Sequence, residues 1–282
     1  MDYIIGTTSL LGNRKANQDR VGIAEKPEAV LLVLADGMSG HAGGKLAADT
    51  FVDSVIQSFH NCKFPVGNPR KFMRDVITIA NQDVIEAGAR HNPPQQPRTT
   101  CVMALIQNGQ ACWAHVGDSR FYIFRHGYTH VRTVDHSKVA ELRQQGKITE
   151  AQMLKHPERH IITRCIGTPK LRILPSVSET EELEHDDVLL LCTDGLWGAV
   201  SEETVRQYME EPHLEESLEQ LATQAETASY PNADNVSAVA LKWNSKKGKK
   251  FIREEASEQE FDDLSEGLDA IDLVLKQLEQ NK

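Results

Sequence analysis

Apolar residues change their spacing from region to region along this chain. Near the N-terminus they form short runs, "DYIIGTTS" from Asp2, "RVGIAE" from Arg20 and "AVLLVLAD" from Ala29. Such runs predict strands, and the third is apolar at nearly every position, as a core strand is. The spacing then lengthens. Leu46, Ala47, Phe51, Val55 and Phe59 fall on one face of a helix over 45–59. Phe72, Val76, Ile79, Ala80 and Ile85 do the same over 70–89, with Pro69 suited to a helix start. Strand-like runs return over 100–134 and again in "RILPSVSET", "DVLLLCTD" and "NVSAVALKW". Asn108-Gly109 and His126-Gly127 each sit between two such runs and predict hairpin turns. A last helical stretch covers 202–228 and is interrupted at Pro212.

Strands, two helices, strands, helices: this order predicts an α+β fold of antiparallel sheets covered by helices, not an alternating βαβ chain. The segment 136–160 is polar and short-helical, and reads as a surface insertion between strands. The core is expected to end near Trp243, giving a domain over 1–243. The polar, basic "NSKKGKK" follows as a linker, and 244–282 forms an acidic tail. In that tail Phe261, Leu264, Leu268, Ile271, Leu275 and Leu278 repeat at heptad spacing. The stripe suits a helix docked on its own domain, or one that dimerises or binds a partner; under three heptads is short for a free coiled coil.

Composition narrows the classes. With 282 residues and a net charge of −10, the chain is large enough for a substantial core and wrong in sign for an electrostatic nucleic-acid binder. The five cysteines are odd in number, lack C-x-x-C spacing and lie mostly in apolar runs, so reduced core thiols of a cytoplasmic protein are expected. The N-terminus lacks a signal-peptide pattern, and no apolar run is long enough to span a bilayer, so no membrane partner is expected.

The candidate chemistry lies at strand ends. "LLVLADG" ends on Asp36, "WAHVGDS" on Asp118 and "LLLCTDG" on Asp194, while Asp19 and Asp234 stand just before strands. In antiparallel sheets the end of one strand lies beside the start of the next, so Asp36, Asp194 and Asp234 can meet at one rim. Meeting carboxylates repel unless a cation lies between them. Oxygen-only donors favour Mg²⁺ or Mn²⁺. A pair of such ions can share a water and turn it into a hydroxide-like nucleophile, which suits phosphate-ester hydrolysis. Gly37 leaves room for a backbone carbonyl to approach a metal, Arg14 supplies a cation for the phosphate, and His41 could protonate the leaving group.

The ordered set "RKANQD", "ADGMSGHAGG", "TTCVMAL", "VGDSRFY", "TVDHS", "TRCIG", "CTDGLW" and "DNVSAV" resembles the metal-dependent protein phosphatases of type 2C, in a form that looks bacterial. The resemblance spans about Asp2 to Trp243. It implies an antiparallel β-sandwich with helices on both outer faces, in four layers. It also implies a protein serine/threonine phosphatase using two Mn²⁺ or Mg²⁺ ions. By position, Asp36 matches the aspartate shared by both metals, Gly37 the carbonyl ligand, and Asp194 and Asp234 the further carboxylates. Asp19 matches an acid holding metal-bound water, Arg14 the phosphate-binding arginine, and Asp118 an acid of a third, weaker site. The insertion 136–160 matches a flap beside the active site.

Three positions depart from the pattern. Gly198 stands where a further aspartate is usual, which bears on the third metal. Arg98 replaces a glycine. His41 matches only across a gap. The resemblance implies phosphorylated proteins as substrates and a serine/threonine kinase as the opposing enzyme. The alternatives are a catalytically weak member serving as a binding module, and a hydrolase of small phosphate esters. His136, His160 and Trp197 are expected to be surface or packing residues, and Thr99 and Thr100 the head of a core strand.

Overall fold

The computed structural model describes residues 1–38, 41–153, 155–168 and 173–245. The chain begins with strands β1 (Tyr3–Leu10), β2 (Asp19–Lys26) and β3 (Ala29–Met38), then helices α1 (His41–Asn61) and α2 (Pro69–Arg90). Strands β4 (Arg98–Thr99), β5 (Cys101–Gln107), β6 (Gln110–Val116), β7 (Arg120–Arg125) and β8 (Tyr128–Arg132) follow. Short helices α3 (Lys138–Gln144) and α4 (Glu150–Met153) lead to β9 (Ser176–Val177), β10 (Glu181–Glu182) and β11 (Val188–Cys192). The described part closes with α5 (Asp194–Trp197), α6 (Glu202–Glu210), α7 (Leu214–Ser229) and β12 (Val236–Trp243).

The described residues form two antiparallel sheets. One runs β1-β12-β11-β7-β8, the other β10-β6-β5-β3-β2, with β4 and β9 at its margins. Strand alternation explains how they stack. From β3, Val30, Leu32 and Leu34 face the other sheet, where Phe121, Ile123, Leu189, Leu191, Val239 and Leu241 meet them. Leu31, Val33 and Ala35 of the same strand point outward against Phe51, Val55 and Phe59 of α1 and Met73 and Ile77 of α2. On the other sheet, Leu190, Cys192, Ala238 and Ala240 pack on Leu214, Leu218 and Leu221 of α7. Both faces of the central strands are covered, so their apolar runs are nearly continuous. The result is the four-layer α-β-β-α sandwich the resemblance implied.

Local chemistry sets the boundaries. Asn108 and Gly109 have φ of 52° and 71°, and His126 and Gly127 have 49° and 79°, the left-handed pairs that a two-residue hairpin needs. Asn68 caps α2 by accepting the Lys71 N–H at 3.0 Å. Helix α1 starts at His41, four residues before the start that its apolar spacing predicts. Gly43 and Gly44 belong to that first turn and are buried, yet carry no hydrophobic signal. The Pro212 break separates α6 from α7. The cysteines are free thiols, and no described helix is long and apolar enough to cross a membrane. The heptad stripe and the linker from residue 246 lie outside the described residues.

Candidate metal centre

Register brings the acids together. Asp19 and Asp36 are directly opposed in the β2–β3 pair. In the other sheet Cys192 is opposed to Ala238, which sets Thr193 and Asp194 beside the entry to β12, where Asp234 and Asn235 lie. Thr193 N–H donates to Ser237 O at 3.0 Å, and Ser237 N–H returns a bond to Thr193 Oγ1 at 3.1 Å. That hydroxyl also donates to Asp19 Oδ2 at 3.0 Å, so one side chain joins the two sheets at the rim.

The surrounding loops are fastened as firmly. Asn235 Oδ1 accepts the Gln18 N–H at 2.9 Å, while its amide donates to Leu11 O and Ala16 O at 2.9 and 3.2 Å. The loop bearing Arg14 is thereby tied to the loop bearing Asp234. The Asp36 backbone is held by two threonines: its N–H donates to Thr100 Oγ1 at 3.1 Å, and its carbonyl accepts from Thr100 N–H and Thr99 Oγ1 at 2.9 and 2.8 Å. A side chain at Gly37 would lie 2.3 Å from Gly44 O and 2.7 Å from Gln18 O. Only glycine lets β3, α1 and the Arg14 loop close around Asp36.

Burial then shapes the electrostatics. Desolvation pushes the Asp36 carboxyl well above the usual range, helped by Asp19, Asp194, Asp118 and Asp234. Burial, with Asp194 and Asp234 nearby, raises Asp19 to about 7 against the hydrogen bonds it receives. Asp118 is pushed up to about 8 by burial and then by Asp194, and among the described residues its Oδ1 has no hydrogen-bond partner. Asp194 is raised by burial and by Asp234. Carboxyls desolvated side by side keep their charge most readily beside a cation. Their hard oxygen donors fit Mg²⁺ or Mn²⁺, which keep several waters and need few protein ligands. Among the described residues no three His, Cys, Asp or Glu side chains already form a closed metal cage.

Arg14 reaches the same rim, where Nη2 donates to Asp234 Oδ2 at 2.6 Å. Its side chain is 56% exposed, which leaves it open to an arriving anion. The side chain of His41 lies outside the described residues. Trp197 packs, as expected, with the Arg120 guanidinium 3.5 Å from a ring centroid, but its Nε1–H also donates to Asp118 O at 3.0 Å. His136 corrects the sequence reading: it is buried, 8% exposed, because the insertion's first residues fold under it rather than over the surface. Thr99, Thr100, Thr193 and Asn235 were missed as site residues. Their signal was a polar residue embedded in or abutting an apolar run, in "TTCVMAL", "CTDG" and "DNVS".

Known proteins are similar to this chain in sequence and fold. The family model described as protein phosphatase 2C matches residues 7–262. Protein phosphatase PhpP of Streptococcus pneumoniae is 32% identical over 234 residues, covering 82% of this chain and 93% of its own. The crystal structure of serine/threonine phosphatase Stp1 from Staphylococcus aureus superposes with a TM-score of 0.80 at 29% identity, over 87% of this chain and 96% of that one. The catalytic domain of the serine/threonine protein phosphatase PstP in complex with two manganese ions gives 0.73 at 28%, over 86% and 99%.

Proposed function

The chain belongs to the protein phosphatase 2C family, and from that membership and the buried acid cluster we propose how its own residues perform the reaction. The activity is that of a metal-dependent protein serine/threonine phosphatase, acting on phosphoproteins. The observation that carries the residue assignment is the set of raised carboxyls gathered from the ends of strands in both sheets. Asp36, Asp194, Asp234 and the Gly37 carbonyl would hold two ions, with Mn²⁺ or Mg²⁺ equally suited to the donors. When bound, the ions supply positive charge to the phosphoryl oxygens and lower the pKa of water toward neutrality.

The protein's own groups do the rest. Asp19, oriented by the Thr193 hydroxyl, accepts a hydrogen bond from water at the rim and so aims its lone pair at phosphorus. Arg14 leaves Asp234 for the phosphate. Its exposed ion pair is worth about 0–1 kcal/mol, whereas a guanidinium on a phosphoryl group makes charge-assisted, often bidentate bonds. His41, at the start of α1, is the proposed donor of the proton that the leaving serine or threonine oxygen needs. Asp118 is proposed to hold a third, weaker ion. With Gly198 in place of a further acid, its orphan Oδ1 is the main donor there. The catalytic domain is assigned to 1–243, with 136–160 as its flap. The tail's heptads are assigned to dimerisation or partner binding, and a serine/threonine kinase to the opposing reaction. The free thiols support a cytoplasmic location.

Phosphate release from a phosphothreonine peptide tests the reading. Turnover should appear with Mn²⁺, vanish with excess EDTA, and exceed turnover of small phosphate esters. Folded protein that binds Mn²⁺ yet releases no phosphate would overturn it in favour of a binding module.

A further inference from the structure

Residue His136 stands at the entry to the flap, yet its contacts lead to the acid site. Its N–H donates to Gly117 O at 2.8 Å, and its Nδ1 accepts the Gly117 N–H at 3.2 Å. The acceptor role assigns the tautomer, so Nε2 carries the proton and donates to Ser176 Oγ at 2.9 Å. Its carbonyl accepts from Thr163 N–H at 2.8 Å, at the flap's exit. The ring stacks on His115, with centroids 4.5 Å apart and planes 10° from parallel. Burial, and then the neighbouring His115 and Arg164, push its pKa down to about 3, which keeps the imidazole neutral.

The residue it grips directly precedes Asp118. Gly117 has φ of +108°, and a Cβ there would lie 2.7 Å from Thr100 Cβ, so this turn has one available shape. On its far side Ser119 Oγ bonds Thr100 Oγ1 at 2.7 Å, and Thr100 in turn holds the Asp36 backbone. The chain of contacts therefore runs from the flap base through His136, the 117–119 turn and Thr100 to Asp36.

We propose that His136 is a positioning residue: as a neutral imidazole it fixes the Gly117–Ser119 turn, and with it the Asp118 carboxylate, and fastens both ends of the flap to that turn. The proposal rests on the reading of Asp118 as an acid of the metal centre. Among the described residues the ring's other contacts are with Ser176, Arg164 and His115 and not with the acids, so its influence passes through the turn.

Two near-isosteric variants separate positioning from packing. In H136N the side-chain oxygen takes the place of Nδ1 and can still accept from Gly117. In H136Q the amide reaches toward Ser176 but leaves Gly117 N–H unbonded. The readouts are the Mn²⁺ concentration for half-maximal phosphatase activity and amide hydrogen exchange of 117–119 in metal-free protein. H136Q should raise the Mn²⁺ requirement about tenfold, as loss of an orienting partner does, and speed exchange in the turn. H136N should recover most of both. Wild-type behaviour of H136Q in both readouts overturns the proposal, as does equal loss in the two variants that follows their thermal stability. A parallel D118N variant keeps the readings apart. If D118N leaves the Mn²⁺ titration unchanged, the metal role of Asp118 fails, and exchange in the turn alone decides the role of His136.

Discussion

The two ends of β11 carry the same residue in opposite circumstances. Asp187, fully buried, enters the strand, and the half-buried Asp194 leaves it. Register opposes Val188 to Phe124, so the next pair outward sets Asp187 against Arg125. The guanidinium grips it twice, Nε to Oδ1 at 2.8 Å and Nη2 to Oδ2 at 2.7 Å, and Glu184 N–H adds a third bond at 2.8 Å. At the other end Asp194 meets Asp36 and Asp234 instead. Arg120 lies opposite Cys192, close to that end, but is taken by Asp135 in a twofold bond at 2.9 and 2.8 Å. Acids that serve the fold are thus neutralised by arginine. Acids of the site lie beside one another, Asp234 sharing the exposed Arg14, and the negative charge that remains is what a cation relieves.

Substituting one acid of each kind should break this contrast most sharply. Asp36→Asn is expected to lower turnover about a thousandfold or more, the several kcal/mol that metal catalysis supplies. It should leave the metal-free protein as stable as before or more so, since a repelled buried charge is removed; phosphopeptide kinetics and a thermal melt in EDTA check both halves. Asp187→Ala is expected to do the reverse. Leaving Arg125 without its main partner should cost about 3 kcal/mol in urea unfolding, with turnover per folded molecule little changed.

A smaller effect sharpens the comparison without mutation. Asp19 and Asp118 have folded pKa values raised to about 7 and about 8. A raised carboxyl favours the folded state below its unfolded pKa, and that advantage is lost as pH rises through the folded value. With EDTA present, stability should therefore increase from about pH 8 to about pH 7, by at most about 1.4 kcal/mol per titrating carboxyl. Saturating Mn²⁺ should flatten the slope. A slope unchanged by Mn²⁺ would show that these carboxyls do not face the ions.

Much of this was legible from the chain alone, and unevenly so. The continuous run of β3 announced a core strand, and the Asn108-Gly109 turn announced its hairpin, because both signals are local. The apolar spacing places the start of α1 four residues late because Gly44 contributes through close approach to Gly37, which hydrophobicity does not register. His136 was misjudged because a histidine in a polar segment gives no sign of the carbonyls and rings that will surround it.

The sequence by itself determined the elements, their order, the turn types and which acids stand at strand ends, since each depends on residues within a few positions of one another. Tertiary structure decided which acids meet arginine and which meet acids. Asp19 and the Thr193 hydroxyl that orients it are 174 residues apart, and Arg125 and Asp187 are 62 apart. Such pairs exist only once antiparallel register has set one strand end against another, and burial has removed the water that would otherwise make all these carboxylates alike.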